Sequence, residues 1–275
     1  MANRPIRSAC VTRIEAGQAH TAEDTLVVEE PLEIRVAGDT LAVTMRTPGN
    51  DRELVLGFLW AEGIVRSLDD VSSVVHCGRL GDEGFGNTIE VTPAPGARLA
   101  LPDEPLARRG TVTTSACGVC GRRSIDDLLA RCRPIGARAT MKRSAIVQAA
   151  ASLREAQPLF AKTGGCHAAS LVTLAGERVA TFEDVGRHNA VDKLVGSRLL
   201  ARALPASEHA LVVSGRTSFE IVQKAVAAGI PLIIGVSAAS SLAVEVAERA
   251  GVTLLGFTRG AEFALYTGAD RIEYD

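Results

Sequence analysis

The chain lacks any apolar run near the roughly 18 residues of a membrane-spanning helix. Its start, Met1-Ala2-Asn3-Arg4-Pro5, leads into mixed sequence without a signal-peptide pattern. Both absences argue against a membrane role and make the cytoplasm the expected compartment. Net charge is only −2 over 275 residues, so overall electrostatics favour neither nucleic acid nor an anionic membrane. Any anionic ligand must be held by local arginines. Cysteine is sparse, with Cys10, Cys77, Cys117, Cys120, Cys132 and Cys166. In a reducing compartment these are expected to be free, catalytic or metal-binding rather than disulfide-bonded, the isolated ones reading as ordinary buried or surface thiols. Repeats, low-complexity tracts, a Walker motif and a GxGxxG fingerprint are all missing.

What is present is the composition of a soluble globular protein: 47% hydrophobic and 23% charged residues, enough for one large domain or two ordinary ones. The first hundred residues read as β-rich. Residues 31–46 form an expected hairpin around Ala37-Gly38-Asp39, and 71–76 and 87–92 are further expected strands. Leu54, Val55, Phe58, Leu59 and Ala61 trace a helical stripe over 52–62, with an N-cap expected at Asn50-Asp51. Prolines 93, 95, 102 and 105 interrupt regular structure, so this segment and the thiol loop after it, about residues 93–124, are the expected linker. Short and long helices are expected over 125–132 and 144–157. From residue 164, apolar strands (168–174, 178–182, 210–213, 232–236, 252–257) alternate with amphipathic helices (189–203, 219–228, 242–250). That alternation predicts an α/β domain with a mostly parallel sheet covered on both faces. The division expected is a β-rich α+β subdomain over 1–110, a mobile loop over 111–124, and an α/β domain over 125–275.

Ligands of such sheets bind beyond the carboxyl ends of the strands. There the sequence places Ser214-Gly215-Arg216-Thr217-Ser218, Ser237-Ala238-Ala239-Ser240-Ser241 and Phe257-Thr258-Arg259-Gly260. Backbone N–H groups at a helix start, beside an arginine, suit a phosphate or another oxyanion. Gly164-Gly165, before Cys166-His167, can bring backbone close to a ligand. Together these segments suggest a nucleotide or phosphorylated cofactor. The run Phe182 to Lys193 is densely polar, with His188 and Asp192 on one helical face. It is read as either a solvated helix start or part of the site.

The remaining feature is Thr113 to Arg123, in which Cys117 and Cys120 stand in CxxC spacing among small residues before Arg122 and Arg123. A structural zinc site needs two more ligands, and there is no second CxxC and no HxxxH. A zinc deaminase would need H-x-E followed by P-C-x-x-C; here the cysteine pair precedes His188, and His188-Asn189-Ala190 lacks the glutamate. A thioredoxin-like pair usually caps a helix after a strand, whereas this one lies in an irregular stretch. A sulfur-carrying thiol fits best, because neighbouring arginines favour a thiolate or persulfide anion.

Five stretches, Thr113–Arg122 (TTSACGVCGR), Thr163–Ala169 (TGGCHAA), Glu183–Lys193 (EDVGRHNAVDK), Ser214–Lys224 (SGRTSFEIVQK) and the region 256–267, closely resemble the formate dehydrogenase accessory sulfurtransferases, the FdhD family. The resemblance runs over nearly the whole chain in the family's order. It implies a cytoplasmic homodimer that accepts persulfide sulfur from a cysteine desulfurase. The sulfur passes to the molybdenum bis-molybdopterin guanine dinucleotide cofactor, bound as a substrate, before its insertion into formate dehydrogenase. It further implies that Cys117 bears the persulfide and Cys120 assists, and that Phe257, Thr258, Arg259, Gly260, Ala261 and Glu262 contact the cofactor. GDP-like nucleotides would mimic the latter. The implied C-terminal fold is a three-layer, cytidine-deaminase-like α/β domain without deaminase zinc ligands. Ser214, Gly215, Arg216, Thr217, Gly164, Gly165 and His188 complete the expected cofactor site, with no metal ligands. Two competing readings remain. A non-catalytic cofactor chaperone would bind GDP tightly with both cysteines dispensable, and a zinc-dependent deaminase-like hydrolase would purify with stoichiometric zinc.

Overall fold

The computed structural model describes residues 4–78, 85–101, 135–136 and 139–274. The expected loop over 111–124, with Cys117 and Cys120, and the short helix expected over 125–132 lie outside the described residues. A long hairpin comes first, β1 (Ile6–Glu15) against β2 (Gln18–Val27), pairing as a separate two-stranded sheet. The sequence pattern does not predict it, because both faces are largely exposed and no apolar alternation marks it.

The β-rich unit follows, with β3 (Glu30–Val36), β4 (Asp39–Arg46), α1 (Asp51–Ala61), β5 (Val71–His76) and β6 (Thr88–Pro93). Its sheet runs β4-β3-β6-β5, with a parallel pairing between β3 and β6. Alternate residues Leu32, Ile34 and Val36 point inward, the period-two pattern of a half-buried strand. They meet the stripe Leu54, Val55 and Leu59 of α1. The cap of α1 differs from expectation: Asn50 takes a left-handed conformation (φ 56°) and makes no side-chain cap bond. The first turn is held instead by Asp51, whose carboxylate receives Arg46 Nε at 3.0 Å and Nη2 at 3.2 Å in a fully buried pair.

The C-terminal unit comprises β7 (Met141–Lys142), α2 (Arg143–Glu155), α3 (Pro158–Thr163), β8 (His167–Thr173), β9 (Arg178–Asp184), α4 (Arg187–Leu200), β10 (His209–Val213), α5 (Phe219–Ala227), β11 (Leu232–Gly235), α6 (Ser241–Arg249), β12 (Thr253–Arg259), β13 (Glu262–Thr267) and β14 (Ile272–Glu273). Six strands form one sheet in the order β13-β12-β11-β10-β8-β9. One face packs on α2 around Ile146, Ala149 and Leu153. The other packs on α4, α5 and α6 around Leu194, Val222 and Val246. This is the expected mixed α/β architecture in three layers. The sheet is not mostly parallel, however. Within it only β10–β11 and β11–β12 are neighbours that pair in parallel, each joined through a crossover helix. The β8–β9 and β12–β13 pairs are antiparallel, and β8 runs antiparallel to β10.

The two units meet where α1 crosses α4. A Cβ on Gly57 would stand 1.9 Å from Asp192 O, and one on Gly196 would stand 1.8 Å from Glu53 O. The helices touch backbone to backbone, which only glycine permits. Trp60 Nε1 donates to Ala227 O at 2.8 Å and pins the same seam. Among the described residues no helix is long and apolar enough to cross a membrane.

Candidate functional site

The antiparallel placement of β8 beside β10 brings the start of β8 to the same edge as the ends of β9, β10, β11 and β12. Backbone bonds tie that edge together. Ser214 N donates to Ala168 O (3.0 Å), and Ala168 N donates to Ser214 Oγ (2.9 Å). Thr217 N donates to Ala238 O, and Phe257 N to Ser237 O, both at 3.0 Å. Segments from far apart in the chain therefore form one continuous rim.

A cavity of about 650 Å³ opens at this rim, within the usual range for small-molecule sites. Of the residues expected from sequence to hold a cofactor, Gly164, Gly165, Ser214, Thr258, Arg259 and Gly260 line it. The opposite wall comes from α2 and α3: Val147, Ala150, Ala151 and Leu153 are apolar, with Arg154, Gln157 and Phe160 at its end. Sequence reasoning missed this wall, since nothing local tells an inward-facing helix stripe which strand edge it will oppose. Thr258 is buried, and its hydroxyl has no hydrogen-bond partner among the described residues. A buried hydroxyl without a partner is available to a ligand.

Phe257 departs from ordinary backbone geometry. It holds φ 53° at an irregularity in the β12–β13 pairing, and its ring is half exposed. A bulky residue in the left-handed region is strained, and such strain gathers at functional positions. A bulge also re-aims side chains beside a site. Ala261 lies on the exposed turn beyond, where its O accepts Arg143 Nη2 at 2.8 Å, and exposed Glu262 begins β13.

The chemistry of the rim is set by burial and by neighbouring charge. Cys166 lines the cavity, but burial, with Glu183 and Asp184 nearby, pushes its thiol up to about 11. It stays protonated near neutral pH and is a poor nucleophile. His167 also lines the cavity. Burial first, then Arg187, His188 and Arg216, holds its imidazole below the usual histidine value, so it is neutral at pH 7. Gly215 is packed tightly here. A Cβ on it would lie 3.1 Å from His167 Nδ1 and 3.2 Å from Arg187 Cβ. Arg216 is exposed, while Thr217 is buried beneath Gly235.

The polar run 183–193 turns mostly inward. Asp184 is fully buried and pairs with Lys193 Nζ at 2.7 Å. It also accepts Thr47 N (3.1 Å), Gly186 N (2.8 Å) and Asn189 Nδ2 (3.0 Å). Asp192 receives Lys224 Nζ at 2.6 Å, and burial raises its carboxyl to about 6 despite that partner. His188 Nε2 lies 2.7 Å from Glu220 Oε2 and 3.0 Å from Ser218 Oγ. Burial outweighs the carboxylate and lowers the His188 value, so this contact at neutral pH is a neutral N–H donating to Glu220. His188 thus braces α4 against α5 and is not among the residues lining the cavity. Among the described residues no cluster of three or more His, Cys, Asp or Glu side chains is placed to hold a metal ion.

Comparison with known proteins gives a consistent result. The model of the FdhD/NarQ family matches residues 27–273. A sulfur carrier protein FdhD from Anaeromyxobacter dehalogenans is 53% identical over 256 residues, covering 90% of this chain and 88% of the relative. One from Streptomyces avermitilis is 47% identical over 271 residues, covering 95% and 94%. Among solved structures, a protein from Desulfotalea psychrophila described as a formate dehydrogenase accessory protein superposes with a TM-score of 0.77 at 23% identity. That superposition covers 98% of this chain and 100% of the other.

Proposed function

The chain belongs to the FdhD/NarQ family, and on that premise we propose that it is a sulfur carrier for the molybdenum bis-molybdopterin guanine dinucleotide cofactor. The observation that carries this reading is the convergence of segments 164–167, 214 and 258–260 on one cavity. Its apolar helix wall suits one planar ring end of the cofactor. Arg259 and the open hydroxyl of Thr258 suit that end's polar groups. The cofactor is the substrate here, and the chain acts on it as a homodimer in the cytoplasm, in the service of formate dehydrogenase.

In the first step the Cys117 thiolate attacks the outer sulfur of a cysteine desulfurase persulfide. The donor's S–S bond breaks, its cysteine leaves as a thiolate, and Cys117 carries the sulfur as a persulfide. No net oxidation occurs. Delivery of that sulfur as sulfide needs two electrons. Cys120 supplies them by attacking the inner sulfur of Cys117, which expels HS⁻ and closes a Cys117–Cys120 disulfide that a cellular thiol reductant reopens. Arg122 and Arg123 stabilise the anionic forms by charge.

Mass spectrometry after incubation with a desulfurase and cysteine tests the assignment. A labile added sulfur is expected on Cys117, and it accumulates in Cys120→Ser. A Cys117→Ala chain that still acquires sulfur and still supports formate dehydrogenase activity would sink the reading.

A further inference from the structure

The outer wall of the cavity is thin. Helix α3 has six residues, none of them buried, and its main packing partner is strand β2 of the N-terminal hairpin. Phe160 and the Gly164-Gly165 turn line the cavity. Behind the helix lies a second hollow of about 360 Å³, lined by Pro158 and Leu159 of α3 together with Pro48 and Glu183. The helix therefore stands between two open spaces, and none of its side chains joins the apolar cores.

A single side chain holds the start of α3. Glu183, near the end of β9, accepts Leu159 N on Oε2 at 2.9 Å and Phe160 N on Oε1 at 2.8 Å. N–H groups of a first helical turn have no partner within the helix, and Gln157 makes no side-chain cap bond here. A carboxylate is a strong acceptor for such groups and complements the helix dipole. The carboxylate of neighbouring Asp184 braces the two units of the fold, whereas that of Glu183 is occupied by α3. The far end of the helix is a glycine turn. Gly164 takes left-handed backbone at φ 66°, and a Cβ on Gly165 would lie 2.7 Å from Val27 Cγ1. A short helix fixed by one carboxylate at its start and by small residues at its end has the layout of a hinged segment.

We propose that α3 is a gate on the cavity and that Glu183 is its latch, a positioning residue that acts through the helix wall. Opening breaks the two carboxylate bonds and swings α3 about the Gly164-Gly165 turn toward the hollow behind it. Packing offers little resistance, because no residue of α3 leaves a buried position when it moves. The inference rests on the reading of the cavity as a ligand site, and it concerns how the ligand enters and leaves.

Hydrogen exchange and stopped-flow binding of methylanthraniloyl-GDP, both on the full chain, test it in Glu183→Ala and Glu183→Gln. Exchange over residues 157–165 is expected to accelerate roughly tenfold or more in Glu183→Ala, which loses both bonds to a charged acceptor. Glu183→Gln keeps one acceptor oxygen and falls between. Exchange over β8 and β10 stays as in the unmodified chain. Association and dissociation of the nucleotide both quicken by a similar factor, so that affinity hardly moves. Unchanged exchange over 157–165 overturns the latch, and equal acceleration across β8 and β10 overturns it too, by making Glu183 a brace of the whole fold. Unchanged binding rates, or a change confined to dissociation, overturn the gate. If 157–165 exchanges faster while the unmodified chain binds no nucleotide, the latched flap stands and the cavity fails as a nucleotide site.

Discussion

Two sets of charges lie within one turn or two of each other at the start of α4, and they are treated in opposite ways. Asp184, Asp192 and Lys193 are buried, and each has a partner of opposite charge at 2.6–2.7 Å. Arg187 shares their segment, and Arg216 and Arg259 lie on the same rim, yet none of these three is in an ion pair among the described residues. Buried charge is tolerated only when paired and hydrogen-bonded, so the first set is a brace between the β-rich unit and the sheet. Lys193 Nζ bonds Thr47 O at 2.9 Å and so reaches across that seam. Cations left without a carboxylate at a cavity mouth keep their capacity for an external anion. The presence of a partner, more than polar density, separates support from site.

The contrast is broken most sharply from the buried side. Lys193→Met removes one partner and leaves the Asp184 carboxylate buried. It is expected to lower unfolding free energy by about 3–5 kcal/mol in urea denaturation, and a loss below about 1 kcal/mol would put Asp184 outside the brace. Gly196→Ala leaves every charge intact but drives a Cβ toward Glu53 O in the α1–α4 crossing. It is expected to cost about 1–3 kcal/mol by overpacking, read as a drop in melting temperature. On the open side, Arg259→Gln and Arg216→Gln are expected to change stability by no more than about 0.5 kcal/mol. A larger loss in either would mean that the rim arginines are structural. The smallest expected effect is none at all. Because burial pushes the Cys166 thiol up to about 11, little thiolate exists at pH 8, and iodoacetamide should leave it unmodified while exposed Cys10 reacts. Peptide mapping decides that point.

Much of this was legible in the chain. The strands and helices after residue 164 follow from apolar runs and helical stripes, because burial on both sheet faces imposes them locally. That Gly164-Gly165, Ser214 and Thr258-Arg259-Gly260 would meet at one edge, where they line the cavity, was legible because they sit at strand ends of such a sheet. The β1–β2 hairpin was not legible, since strands exposed on both faces carry no alternation. Nor was β13, which turns the edge of the sheet antiparallel. His188 illustrates the harder failure. Its place in a dense polar run marked it as important, but only its contact with Glu220, 32 positions later in the chain by residue number, shows that it supports the fold.

By itself the sequence determined the family, most of the elements from β3 to β12 with their order, and which segments end at strand termini. Periodicity, turn residues and co-linear motifs are local properties, so they can be read without knowing what lies opposite. The tertiary structure decided which charges are cancelled and which stay open, and which helix wall closes the cavity. Those are properties of pairs. Lys193 meets Thr47 and Lys224 meets Asp192 only after the sheet and the α1–α4 seam have formed. Electrostatic energy depends on distance and burial in the folded molecule, and neither exists in the linear chain.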